Sequence, residues 1–235
     1  MCSNSVTSYE TLHLITSFYT SKNPSRNAEL EKALRNNIRS EYIERIHLFV
    51  DDEVSCQKLQ DETFASEKIT IIRIGPQPLY SDLVAYANTL TNKLCMIANS
   101  DIWLHSIDDI RLLRNMKSSE VYALTRYEAD MTSPLIDEYC GSHDVFIFHS
   151  PIHESILKHI RFPQNVWGSE NVLMYEIHKL HYTIRNPCRQ IKIVHEHMSD
   201  ERNNDRIRIN LGDIDGDGVY KQRSHPGVPP SMICC

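Results

Sequence analysis

Short β-prone apolar runs alternate with helical-period segments across the first hundred residues, and this feature constrains the chain most. LHLITSFYT (12–20), RIHLFVDD (45–52), KITIIRIG (68–75) and KLCMIANSDI (93–102) read as buried strands. Between them, SRNAELEKALRNNI (25–38) carries apolar residues at Ala28, Leu30, Ala33, Leu34 and Ile38, which is helical spacing behind a Ser cap. YSDLVAYANTL (80–90) returns to the same period. The order strand, helix, strand, strand, helix, strand predicts a mostly parallel sheet covered by helices.

Further along, SIDDIRLLRNM (106–116) reads as a short amphipathic helix, and EVYALTRYE (120–128) and HDVFIFHS (143–150) as strands. GSENVLMYEIHKLHY (168–182) reads as a helix, and YTIRNPCRQIKIVHEH (182–197) as a turn between two extended pieces. A chain of 235 residues suits one sizeable domain with a tail. We expect the domain over 1–209 and a mobile tail over 210–235, where Gly, Pro and Asp accumulate.

In such a sheet, ligands bind where the carboxyl ends of the strands open into a crevice. Hydroxyls, carboxylates and an amide gather at those ends: Thr16 to Ser21, Asp51 and Asp52, then Asn99 and Asp101. Asp and Asn also stop strands with no further role, but three such ends together point to a polar cleft. The seven glycines form neither GxGxxG nor GxxxxGK[ST], so backbone cradling of a phosphate is not the main device. A divalent cation on carboxylate and imidazole, helped by Arg, is the substitute.

Other classes recede. The net charge of −6, with both signs mixed, argues against a general nucleic-acid or anionic-membrane binder. No apolar run approaches membrane-spanning length and MCSNSVTSYE is not a signal peptide, so a cytoplasmic protein is expected. Seven scattered cysteines lack any CxxC and suit free thiols; the terminal Cys234-Cys235 pair is weak as a prenylation signal. DIDGDG (213–218) has the first half of a calcium loop, but Ser224 stands where its bidentate Glu belongs, so it reads as tail.

Six segments occur in a familiar order: SFYTSKNPSRNAEL, NSDIWL, ALTRYE, SHDVFIF, WGSENVLMYEI and YTIRNPCRQIKIVHEHMSDER. Together, over about residues 12–205, they resemble a small family of GT-A-type nucleotide-sugar glycosyltransferases that includes compact enzymes of large algal viruses. That family's pattern runs N-A-D-I-Y-F-D, A-L-T-R-W, S-Q-D-x-W-I-F, G-x-D-N, N-P-S and H-x-H-x-S-x-x-R. The resemblance implies a Rossmann-like mixed α/β sheet flanked by helices, and Mn²⁺ (or Mg²⁺) with a nucleotide-sugar donor, a UDP-sugar by preference. It implies a metal site at Asp101 with His195 and His197, and donor contacts from Asn99, Arg126 and Asn171. Thr16, Tyr19, Arg26 and Asp51 fall where the nucleoside pocket is expected, while Asp144 and Glu170 are the candidates for catalytic base or sugar binding.

Four departures accompany the match. His105 stands where the family has a second acid, as an alternative ligand; Tyr127 and Phe146 replace Trp, and Glu170 replaces Asp. The expected activity is therefore metal-dependent transfer of a sugar to a glycan or other hydroxyl acceptor. The alternative is an inactive nucleotide- or carbohydrate-binding domain of the same fold, favoured by His105.

Overall fold

Strict alternation on the first strand shows how the sheet is sandwiched. Along β1 (Leu12–Ser17), Leu12 and Leu14 pack into one core cluster while Ile15 packs into the other. β4 (Leu94–Ala98) repeats the pattern, with Leu94, Met96 and Ala98 on one face and Cys95 and Ile97 on the opposite one. Both faces are therefore covered, as a parallel sheet requires.

The computed structural model describes residues 11–132, 142–164, 166, 168–199, 214–215, 218–219 and 225–234. After β1 come α1 (Pro24–Arg39), β2 (Ile43–Val50), α2 (Glu53–Leu59), β3 (Ile69–Arg73), α3 (Tyr80–Thr89), β4, β5 (Ile102–Ile107) and α4 (Arg111–Arg114). Then follow β6 (Glu120–Leu124), β7 (Tyr127–Glu128), β8 (Val145–His149), α5 (Ser169–Lys179), β9 (Thr183–Arg185) and β10 (Ile191–His195). The main sheet has seven strands in the order β3-β2-β1-β4-β8-β6-β9. β1 to β4 run parallel, and β8 is antiparallel to both of its neighbours. A second sheet, β5-β10-β7, projects the site residues. The mixed α/β sheet flanked by helices is the predicted class.

Local details differ from expectation. The cap of α1 is Asn23, whose Oδ1 accepts from Ser25 N at 2.9 Å, followed by Pro24. The helix expected over 106–116 shrinks to the four residues of α4, because β5 claims Ile102–Ile107 by antiparallel pairing with β10. Strand pairing there outcompetes helical period. Asp52, expected to line the cleft, instead caps α2, a helix that periodicity does not announce, accepting from Ser55 N at 2.8 Å.

Part of the C-terminal stretch, expected to be a mobile tail, bonds to the rest of the fold. Val228 N donates to His143 Nε2 at 3.1 Å, Ser231 N to Asn186 O at 2.9 Å, and Ile233 N to Gln190 Oε1 at 2.7 Å. Ile233 also packs on the core, which explains the anchoring. Within DIDGDG, only β11 (Ile214–Asp215) and the first residue of β12 (Gly218–Val219) are described, paired antiparallel. The boundary expected at 209/210 and Cys235 lie outside the described residues. Cys56, Cys95, Cys188 and Cys234 carry free thiols.

Candidate functional site

β4 ends at Ala98, and residues 99–101 form the turn into β5. This turn delivers Asp101, only 6% exposed, to the end of β10. His195 Nε2 donates to Asp101 Oδ2 at 3.1 Å, and His197 Nδ1 lies 3.6 Å from the same oxygen. The two imidazole rings stack with centroids 5.2 Å apart and planes 2° from parallel. His195 ends β10 and His197 follows two residues on, and the extended chain there brings both rings to the same side. Asp101, His195 and His197 each offer a ligand atom, all within 4.8 Å of one another. One carboxylate with two imidazoles fits Mn²⁺ better than Mg²⁺, which prefers oxygen ligands.

Charge is concentrated here. Burial opposes ionisation of Asp101, but bonding to His195 and the charge of Arg26 hold it well below the usual carboxylate range. Burial likewise disfavours a charged His195, yet Asp101 and Glu128 lift its pKa to about 9. Glu128 Oε2 lies 3.6 Å from His195 Nδ1, and this contact with the nearby Arg126 draws its pKa down to about 2. Arg26 enters from the first turn of α1. Its Nη2 donates to Asp101 Oδ2 at 2.7 Å and its Nη1 to His197 Nδ1 at 2.8 Å.

A second cluster adjoins through Asn99. Its Nδ2 donates to Asp144 Oδ1 at 3.0 Å, while Gln164 Nε2 donates to its Oδ1 at 3.2 Å. Asp144 Oδ2 accepts from Arg126 Nη1 and from Ser142 Oγ, both at 2.9 Å. Gly168, at φ 82°, makes the left-handed step into α5 that presents Glu170 in the first turn. Ser169 Oγ donates to Glu170 Oε2 at 3.2 Å. Burial raises the Glu170 pKa to about 7, with the Asp144 charge adding to the effect. Three donors therefore converge on Asp144. Glu170 is poised to exchange a proton near neutrality.

Other expected site residues fall at varying distances from this centre. Thr16 is buried at the end of β1, its Oγ1 donating to Ser17 O at 3.4 Å. Ser17 Oγ meets Ser100 Oγ at 2.8 Å and ties β1 to the turn carrying Asp101. Tyr19 is 37% exposed, and its hydroxyl accepts from Arg26 Nε at 3.1 Å. Asp51 is exposed just beyond β2. The Asn171 Oδ1 is buried with no hydrogen-bond partner among the described residues, and its carbonyl accepts from His225 N at 3.0 Å.

His105 does not join the Asp101, His195 and His197 cluster. It is exposed on β5 against Trp103, with ring centroids 5.2 Å apart, in a groove of about 510 Å³ shared with Tyr42 and Arg39. The strand that begins at Ile102 carries it away from the turn. Sequence reasoning missed Glu128, Gln164 and Ser142. Glu128 lies within the quoted ALTRYE segment, two residues from Arg126, and same-face strand spacing could have flagged it.

No family profile and no curated protein sequence matches the chain. Solved structures do. A mannosyltransferase from Pyrobaculum calidifontis, in complex with GDP-Man and Mn²⁺, superposes at TM-score 0.53 and 10% identity, over 81% of this chain and 58% of that one. S. aureus TarS 1-349 in complex with UDP-GlcNAc gives 0.51 at 9% identity, over 81% and 60%. GalNAc-T7 with UDP, GalNAc and Mn²⁺ gives 0.52 at 10% identity, over 81% and 44%. This chain thus spans less than two thirds of each of those proteins, and at such identities the likeness establishes the fold alone. The chain has the GT-A glycosyltransferase fold.

Proposed function

We propose that this chain moves a sugar from a nucleoside-diphosphate sugar, a UDP-sugar by preference, to a hydroxyl of a glycan or similar acceptor. The observation that carries this reading is the meeting of Asp101, His195 and His197 at the carboxyl ends of the strands. The donors named with the similar structures, GDP-Man and UDP-GlcNAc, and the Mn²⁺ named with two of them, support it. Asp101, His195 and His197 would hold Mn²⁺ (or Mg²⁺), which when bound offsets charge developing on the leaving diphosphate.

The chain's own groups divide the remaining work. Glu170 takes the proton of the acceptor hydroxyl as its oxygen bonds to the anomeric carbon and the bond to the diphosphate breaks. Asp144, fixed by Asn99, Ser142 and Arg126, accepts hydrogen bonds from donor-sugar hydroxyls. Arg126 itself supplies a half-buried guanidinium beside the donor. Thr16, Tyr19 and Asp51 border the nucleoside side of the cleft.

A panel of nucleotide sugars tests the reading, with released nucleotide measured in Mn²⁺ and in EDTA. Metal-dependent turnover of one UDP-sugar, removed by Asp101→Ala, is expected. The second reading, a binding domain without turnover, draws on the Arg26 guanidinium seated against Asp101. It predicts UDP binding by calorimetry with no hydrolysis of any donor in the panel.

A further inference from the structure

Arg26 holds two of the three side chains that a cation would need. It is 7% exposed, and three of its nitrogens are committed. Nη2 bonds Asp101 Oδ2 at 2.7 Å and Nη1 bonds His197 Nδ1 at 2.8 Å. Nη1 also donates to Glu29 Oε2 at 3.0 Å, and Nε to the Tyr19 hydroxyl at 3.1 Å. A guanidinium can only donate, so His197 Nδ1 is the acceptor and carries no proton. An imidazole nitrogen has one in-plane lone pair. It can serve Arg26 or a metal ion, but not both.

We infer that Arg26 is a displaceable internal cation, competing with a divalent ion for Asp101 and His197, so that the ion binds only once the guanidinium has left His197 Nδ1. The inference rests on Asp101, His195 and His197 being the ion site. Two further observations support it. A divalent ion beside a retained guanidinium would face like charge in a buried setting, where repulsion is weakly screened. A second anchorage also exists at Glu29, which accepts Met198 N at 2.7 Å, Ser199 N at 2.6 Å and Ser199 Oγ at 2.9 Å. Glu29 thereby pins the segment after His197 to α1. The released guanidinium keeps Glu29 and Tyr19 as partners, close to where an anionic diphosphate would lie.

Titrating Mn²⁺ alone into the metal-stripped chain by calorimetry tests this. Arg26→Met is expected to bind Mn²⁺ at least about tenfold more tightly than the wild type. A merely structural role for Arg26 would not raise affinity. Arg26→Lys guards against misfolding of the Met variant: one ammonium can hold Asp101 but cannot bridge to His197, so it too should bind more tightly than wild type. Equal or weaker binding in a variant that melts cooperatively overturns the competition while leaving the ion site standing. Asp101→Ala separates the two ideas. Mn²⁺ binding undiminished in that variant, or absent from the wild type and both Arg26 variants, removes the ion site and the inference with it.

Discussion

Two pairs of stacked histidines sit on this fold and behave oppositely. His195 and His197 lie at the carboxyl end of β10, with rings 5.2 Å apart and 2° from parallel. His13 and His47 lie on β1 and β2, 5.4 Å apart and at 11°, each 5% exposed. Geometry and burial are nearly the same, yet His195 is lifted to about 9 while burial, with the neighbouring His13 and Arg45, pushes His47 down to about 4. The carboxylate makes the difference. Asp101 is buried against its imidazoles, whereas Glu44, 3.6 Å from His13, has a side chain 38% exposed and is screened by water. Only where a dry carboxylate accompanies it is a histidine of such a pair favoured in its charged form. Elsewhere the pair is a neutral polar bridge, here closed by Tyr86, whose hydroxyl meets His47 Nδ1 at 3.0 Å.

The severest challenge to this contrast is Asp101→Ala. With its carboxylate gone, the first pair should resemble the second, and Mn²⁺-dependent turnover of the donor should fall about a thousandfold or more, in line with the several kcal/mol a catalytic ion supplies. Steady-state kinetics in Mn²⁺ check this; turnover within tenfold of the wild type would sink the assignment. Glu170→Gln comes next. A base whose pKa stands near 7 should cost about a hundredfold or more in kcat when neutralised, with little change in UDP affinity. Its folded-state pKa is raised from 4.5, so stability is full below about pH 4.5 and is lost as pH rises through 7. Glu170→Gln should flatten that decline in urea titrations, and an unchanged slope would show that burial does not hold the carboxyl protonated.

His47→Gln probes the other pair. Its folded pKa is depressed from 6.5 to about 4, so the unfolded chain binds a proton that the folded chain refuses. Stability is therefore full above pH 6.5 and falls as pH drops toward 4, by at most about 3 kcal/mol. A glutamine in this place has no proton to take up, so the variant should lose less stability than the wild type between pH 7.5 and pH 4.5. Turnover should stay unchanged, because the pair lies outside the cleft. Equal acid slopes in the two proteins would show that His47 is not held neutral by burial.

Some of this was legible in the residues and some was not. Alternating strands of Leu, Ile and Val announce a two-faced sheet, because period and composition are local properties. The Asp101 turn was readable for the same reason: a polar interruption marks where β4 stops. Arg26 could be placed in the cleft through the motif resemblance, but not on Asp101, since that contact joins residues 75 apart. Glu170 as an acid was visible; its raised pKa was not, because burial by the surrounding chain produces it. α2 was missed because its seven residues are too few to display a helical period, and Asp52 looked like one more cleft acid.

His105 offers the finest test of the contrast. Motif alignment places it where a second acid belongs and invites a ligand role. The strand geometry denies this: β5 begins at Ile102 and turns His105 to an exposed groove beside Trp103. If proximity to a buried carboxylate is what makes an imidazole a ligand, His105 has no claim, and His105→Ala should shift Mn²⁺ affinity by less than about twofold. Stability should move by about 0.5 kcal/mol or less, as for surface substitutions generally. A tenfold loss of Mn²⁺ affinity in calorimetry would mean that the turn after Asp101 rearranges to bring His105 inward, and sequence position would then outrank the folded geometry as a guide to this site.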